Sequence, residues 1–167
     1  FKTMFAARRF LSRSSPISSF SLRNASSLVV AEHEGGKLSA GTLSTINAAS
    51  KLNGDISVLV LGKDAAAVAK DAAKVDNVKK VVVVDNAIFE NAVAEDVAKV
   101  VEQVASKYTH ILAPATNHSK NFLPRAAVKL DSAPLSDVIA VIDEQTFKRP
   151  VYAGNAISTV KMSAPNK

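Results

Sequence analysis

The sequence predicts an α/β protein: a three-layer, doubly wound, Rossmann-like and mostly parallel sheet with an antiparallel hairpin at one edge. Three observations lead there. Continuous apolar runs, 55–61 (DISVLVL) and 80–84 (KVVVV) among them, have the composition of strands buried on both faces. Segments with helical spacing alternate with these runs, which requires crossover connections and therefore parallel strands. The final two strand-like segments differ: apolar and polar residues alternate, and only the short turn 153–155 separates them.

Taken in order, 28–33 is an apolar run ending in polar residues and reads as the first strand. The segment 39–53 places Leu43, Ile46, Ala49 and Leu52 at helical spacing and stops at Asn53-Gly54, a suitable helix end. The second strand, 55–61, is closed by Gly62, and Asp64 stands where it can cap an alanine-rich helix over 65–74. The third strand is 80–84. A long segment ending near Lys107 sets Val97, Val100, Val101 and Val104 at i, i+3, i+4 and i+7, one core-facing stripe. A fourth strand, 109–115 (THILAPA), precedes a helix over 121–130 entered through Pro124, and 137–142 is expected as a fifth parallel strand. The hairpin pairs 147–152 (FKRPVY) with Ala156–Lys161 (AISTVK), and Pro150 confines its first strand to an edge or a bulge.

The formal charge of +6 is unevenly placed. Residues 1–27 hold Lys2, Arg8, Arg9, Arg13 and Arg23, eight serines and no carboxylate, leaving 16 basic against 15 acidic residues over 28–167. That leader has the composition of a mitochondrial transit peptide, with arginines breaking every run that could serve as a secretory apolar core. The remaining 28–162 is nearly neutral and poor in aromatics, which argues against nucleic acid as a partner. No cysteine occurs, so thiolate catalysis, zinc–thiolate sites and disulfides have no basis in this chain. No apolar run reaches the roughly 18 residues that span a bilayer, so direct membrane insertion by a helix is not expected.

Ligands of open parallel sheets lie beyond the carboxyl ends of the strands, so the loops there are the places for chemistry. After the first strand, Gly36 and Gly41 have the spacing of a phosphate loop, but Thr42-Leu43 stands where Lys-Ser/Thr is needed to meet the β/γ-phosphates. No G-x-G-x-x-G occurs. His33-Glu34 opens like a zinc-protease helix, yet Lys37 replaces the second histidine, so no metal site is expected. His110 opens an apolar strand, and Asp143-Glu144 has no partner with which to divide acid and base roles. The histidines lack serine and aspartate partners in a triad arrangement, so no catalytic residue is assigned. The loop 116–121 is the best polar cluster: Thr116, Ser119 and Lys120 could hold a phosphate at a helix start, and the same residue types serve equally as caps.

Two stretches carry a resemblance to a known family. Residues 28–52 (LVVAEHEGGKLSAGTLSTINAASKL) and 108–161 resemble the amino-terminal domain of the α-subunit of mitochondrial electron-transfer flavoproteins. The most specific pieces are Leu123-Pro124-Arg125, Ala133-Pro134-Leu135-Ser136-Asp137 and Val151-Tyr152-Ala153-Gly154-Asn155-Ala156, and the likeness runs through essentially all of 28–165. It implies an adenine-nucleotide-hydrolase-like fold. It further implies a mitochondrial-matrix heterodimer with the electron-transfer flavoprotein β-subunit, holding one FAD. Such a heterodimer takes electrons from acyl-CoA and related dehydrogenases, in fatty-acid β-oxidation and amino-acid catabolism, and passes them to electron-transfer flavoprotein ubiquinone oxidoreductase.

In that family the flavin is held mainly by a second, carboxyl-terminal domain, whose motifs have no positions here; residues 163–167 read as the start of a linker toward it. The resemblance therefore implies a scaffold and subunit-interface domain, an electron-carrier part and not an enzyme, with no FAD on these residues alone. The alternative reading is a stand-alone adenine-nucleotide-binding domain that uses the loops at 34–42 and 116–121.

Overall fold

A computed structural model of the chain describes residues 26–162. The expected linker at 163–167, and the expected leader apart from Ser26 and Ser27, lie outside the described residues. The chain opens with β1 (Ser26–Val30), a small hairpin β2 (His33–Glu34) and β3 (Lys37–Leu38), and α1 (Ala40–Ser50). There follow β4 (Asp55–Gly62), α2 (Ala66–Ala73), β5 (Val78–Asp85), a single 3-10 turn at Ala87–Phe89 and α3 (Ala94–Ala105). The second half holds β6 (His110–Leu112), α4 (Asn117–Lys129), β7 (Ala140–Val141), β8 (Thr146–Val151) and β9 (Ala156–Lys161).

Four strands form a parallel sheet in the order β5-β4-β1-β6. The continuous apolar runs take its centre: β4 buries every residue after Asp55, and β1 every residue after Ser26. Alternate side chains of these strands enter two separate cores. Val29, Val58 and Val60 pack with Ile46 and Ala49 of α1 and Val68 and Ala72 of α2. Leu28, Val30 and Leu59 pack with Val97 and Val101 of α3 and Phe122 and Ala126 of α4. Two helices thus cover each face, which is the expected three-layer, doubly wound arrangement. The valine stripe of α3 faces the core as read: Val97 and Val101 are buried, and Val100 and Val104 pack against the same cluster. On α1 the buried face is Thr42, Ile46 and Ala49, whereas Leu43 is partly exposed, at 44%.

Several expectations are corrected. The first strand begins earlier, at Ser26, and His33 belongs to the small hairpin, whose two-residue turn uses Gly35 and Gly36 at φ +57° and +77°. Asp64 does not cap α2. It has φ +58° and donates its N–H to the Asp85 carboxylate (3.0 Å), while Ala65 holds the cap position without a side-chain bond. The helix α4 begins at Asn117, four residues before the expected start, because the Thr116 hydroxyl accepts the Ser119 N–H and caps it there. Pro124 therefore lies inside the helix and removes the N–H that would reach the Lys120 carbonyl.

The segment expected as a fifth parallel strand, 137–142, leaves the parallel sheet altogether. Its Ala140–Val141 pairs antiparallel with β8, with Val141 opposite Phe147. The hairpin of β8 and β9 forms as expected, with Val151 opposite Ala156 and Thr146 opposite Lys161. It does not extend the parallel sheet but makes, with β7, a separate three-stranded antiparallel sheet.

Candidate functional site

In the sheet order β5-β4-β1-β6 the chain winds outward from β1 through β4 to β5, then crosses back to place β6 on the other side of β1. The loops leaving β1 and β6 therefore diverge, and the crevice between them is where ligands of such sheets bind. Two helices point their amino termini at it: α1, entered from Leu38, and α4, entered from Thr116. Orphan N–H groups and the helix dipoles make that a place for an anion.

The protein puts its own carboxylate there. Glu32, two residues past β1, accepts the hydroxyls of Thr116 (2.5 Å) and Ser119 (2.8 Å) on one carboxylate oxygen. Its main chain is held from the α1 side. The Thr42 hydroxyl accepts the Glu32 N–H and donates to the Glu32 carbonyl, each at 2.9 Å, and the Ser39 N–H donates to that carbonyl at 3.0 Å. Since the Thr42 proton is committed to the carbonyl, Ser39 donates its hydroxyl to Thr42 (3.0 Å) and in turn caps α1 by accepting the Thr42 N–H. Thr42 and Ser119 are buried, so each hydroxyl needs the partner it has.

This geometry locates the residues singled out from sequence. Thr116 and Ser119 meet at Glu32, a residue no sequence motif had marked. Lys120 points elsewhere, to the Asp137 carboxylate (2.8 Å) ahead of β7. Lys120, with Ser136 and Arg149 acting in the same sense, holds the Asp137 carboxyl below its ordinary value. Thr42 occupies the position where a phosphate loop would carry lysine and spends its hydroxyl on the Glu32 backbone. His33 donates from Nε2 to the Leu61 carbonyl (2.8 Å). His110 bonds the Thr109 hydroxyl through Nδ1 (2.9 Å) and donates from Nε2 to the Glu144 carbonyl (2.8 Å). The three histidines do not converge, and among the described residues no group of three His, Cys, Asp or Glu side chains could hold a metal ion.

Arg125, in the Leu-Pro-Arg motif, makes a local contact between helices, with Glu95 of α3 at 3.1 Å and Asn121 at 3.2 Å. Asp143 accepts the Gln145 N–H (2.8 Å), and that bond with those to Thr146 lowers its carboxyl as a turn would. Among the described residues, no helix is long and apolar enough to cross a membrane.

Comparison with known proteins agrees with this architecture. The family model described as "Electron transfer flavoprotein domain" matches residues 27–167. The chain is 51% identical over 140 residues to the electron transfer flavoprotein subunit alpha of Pseudomonas aeruginosa, covering 84% of this chain and 45% of that protein. It is 45% identical over 142 residues to the mitochondrial subunit alpha of Dictyostelium discoideum, covering 80% of this chain and 40% of that protein. It is 44% identical over 166 residues to the probable mitochondrial subunit alpha of Caenorhabditis elegans, covering 98% of this chain and 50% of that protein. The chain thus spans half or less of the length of these relatives. With the match running through the whole described domain, the chain belongs to the electron transfer flavoprotein family, and its relatives there are alpha subunits.

Proposed function

We propose that this domain is the structural half of an electron-carrier subunit: it packs against a β-subunit and supports a flavin held elsewhere, and it neither catalyses a reaction nor binds a nucleotide itself. One observation carries the reading. The anion position at the switch between β1 and β6 is taken by Glu32, which uses both the Thr116 and Ser119 hydroxyls. A phosphate brought to the same place would meet a carboxylate about a van der Waals contact away, and like charges at that separation repel strongly at low dielectric. Lys120, the cation nearest in sequence, is spent on Asp137. These residues do not fit the pyrophosphate of FAD either, which needs a glycine-rich turn at a helix start free of competing carboxylate. They favour the scaffold over the stand-alone adenine-nucleotide-binding domain.

The family supports the rest of the reading. An electron transfer flavoprotein carries FAD as an αβ heterodimer, accepts electrons from acyl-CoA and related dehydrogenases, and delivers them to a ubiquinone oxidoreductase. We assign this chain to such a heterodimer in the mitochondrial matrix. The acid-free Arg/Ser leader and the mitochondrial relatives in Dictyostelium and C. elegans support the location. Residues 163–167 we read as the start of the connection to a flavin domain. The test is to titrate AMP and ATP into the purified chain by calorimetry, and to co-express it with an electron transfer flavoprotein β-subunit. The scaffold reading expects no heat from either nucleotide and co-elution with the β-subunit. Micromolar nucleotide binding by the chain alone would overturn it in favour of the nucleotide-binding domain.

A further inference from the structure

The antiparallel sheet of β7, β8 and β9 stands apart from the cores that hold the rest of the fold together. Both hydrophobic clusters draw their members from residues 28–126, and none comes from 131–162. Phe147 is the one buried apolar side chain of the small sheet, while Ile139, Ile142 and Ile157 are each more than half exposed. The sheet shares no strand pairing with the parallel one. Its internal bonds include the β7–β8 and β8–β9 pairing, the Ile139 N–H on the Lys148 carbonyl (2.9 Å), the Met162 N–H on the Gln145 carbonyl (2.9 Å) and Arg149 on the Ser136 hydroxyl (3.0 Å), while Arg149 Nε is buried without a partner among the described residues.

Two polar contacts join it to the body. Among the described residues these are Lys120 with Asp137 (2.8 Å) and His110 Nε2 donating to the Glu144 carbonyl (2.8 Å). The connection from α4 bends at Asp131 and again at Asp137, both at positive φ, on either side of Pro134. The free energy that resists opening of a segment comes chiefly from the apolar surface it buries and the backbone bonds it would lose. Opening of residues 136–162 uncovers one buried apolar side chain, Phe147, breaks no strand pairing with the body, and costs one bond to a backbone group across the boundary, that of His110 to the Glu144 carbonyl.

We infer that residues 136–162 form a separate cooperative unit, which detaches from the three-layer body as one piece while the body stays folded, and that the Lys120–Asp137 pair is a clamp against this opening.

Native-state hydrogen exchange of the full chain, read by mass spectrometry at increasing sub-denaturing urea, tests it. The amides joining the small sheet are expected to lose protection together, about 100-fold or more faster than those of β1 and β4, with a shallower urea dependence than the body. Lys120→Gln should speed exchange in 139–161 several-fold and leave β1 and β4 unchanged, which also shows that the variant is folded. Exchange of the small sheet in one step with β4 overturns the separate unit. A Lys120→Gln chain in which 139–161 is unaltered, or in which β1 and β4 accelerate equally, overturns the clamp.

Discussion

The carboxylate of Glu32 accepts the Thr116 hydroxyl at 2.5 Å, tying together residues that are 84 positions apart in the chain. With the Ser119 bond beside it, the pair closes the crevice between β1 and β6 from the α4 side, as Thr42 closes it from the α1 side. An anion at a helix amino terminus also sits well in the helix dipole. The arrangement is a structural use of a place that related topologies give to ligands.

Replacing Glu32 therefore carries a stability cost. Glu32→Ala removes an ionised acceptor from two hydroxyls, one of them on the buried Ser119, and should destabilise the domain by about 2 kcal/mol. Glu32→Gln keeps an acceptor oxygen in the same place without the charge and should lose about half as much. Urea midpoints of the two variants check this. Two curves that overlay the parent would show that the carboxylate is idle.

The parts of this site that were legible in the sequence and the parts that were not differ for physical reasons. Local signals read correctly: the valine stripe of α3 and the apolar runs of β4 and β5 depend on neighbours within a turn or two. The loop 116–121 reads as a polar cluster at a helix start, which it is, but the partner of Thr116 and Ser119 comes from just past the end of β1. Nothing in the local sequence of Glu32 signals a bond across that distance.

The same limit explains 137–142 (DVIAVI). A short apolar run cannot tell by composition whether it will be buried on both faces or pair at the rim of a small sheet. Here Asp137 at φ +56° turns the chain away from β6, and β8 supplies the partner. Pro124 suits the first turn of a helix, so the sequence places the start of α4 near 121 and not at Asn117. Thr116 proved the stronger determinant.

Gly62 is where the crevice side of β4 meets His33. A Cβ built at residue 62 would stand 2.9 Å from His33 Nε2, the atom that donates to the Leu61 carbonyl. Gly62→Ala should push the ring away, break that bond and destabilise by about 1–3 kcal/mol, the usual range for overpacking. In a His33→Ala background the same change should cost much less, because the space is then free. Thermal unfolding of the four proteins of this cycle provides the measurement, and additive losses would contradict the steric account.

Acid should weaken the attachment of the small sheet through Asp137. Lys120 holds its carboxyl below the ordinary value, so folding favours the ionised form. The contribution is fully present above the unfolded carboxylate value, near pH 4, and is lost as pH falls through the lower folded value. Both side chains are half exposed, so the effect is modest and screened by salt. The expected result is an NMR titration in which the Asp137 midpoint lies below the ordinary aspartate value and rises when Lys120 is replaced by Met. An Asp137 midpoint that ignores the loss of Lys120 would refute the pairing.

The last expectation is that these 167 residues alone do not retain FAD. A dinucleotide in a doubly wound sheet needs its pyrophosphate met by a glycine-rich turn at a helix start. Here the glycine pair Gly35–Gly36 lies in the tip of the β2–β3 hairpin, away from either helix start, and at the α1 start Ser39 and Thr42 are spent on each other and on Glu32. At the α4 start Thr116 and Ser119 are spent on Glu32 as well. Purified chain is to be incubated with excess FAD, freed of unbound cofactor by gel filtration, and examined between 350 and 500 nm, roughly the window in which oxidised flavins absorb. A colourless protein is expected. A stoichiometric flavin band would place the flavin on this domain and overturn the scaffold assignment, and its loss or survival in Glu32→Ala would then say whether the crevice between β1 and β6 holds it.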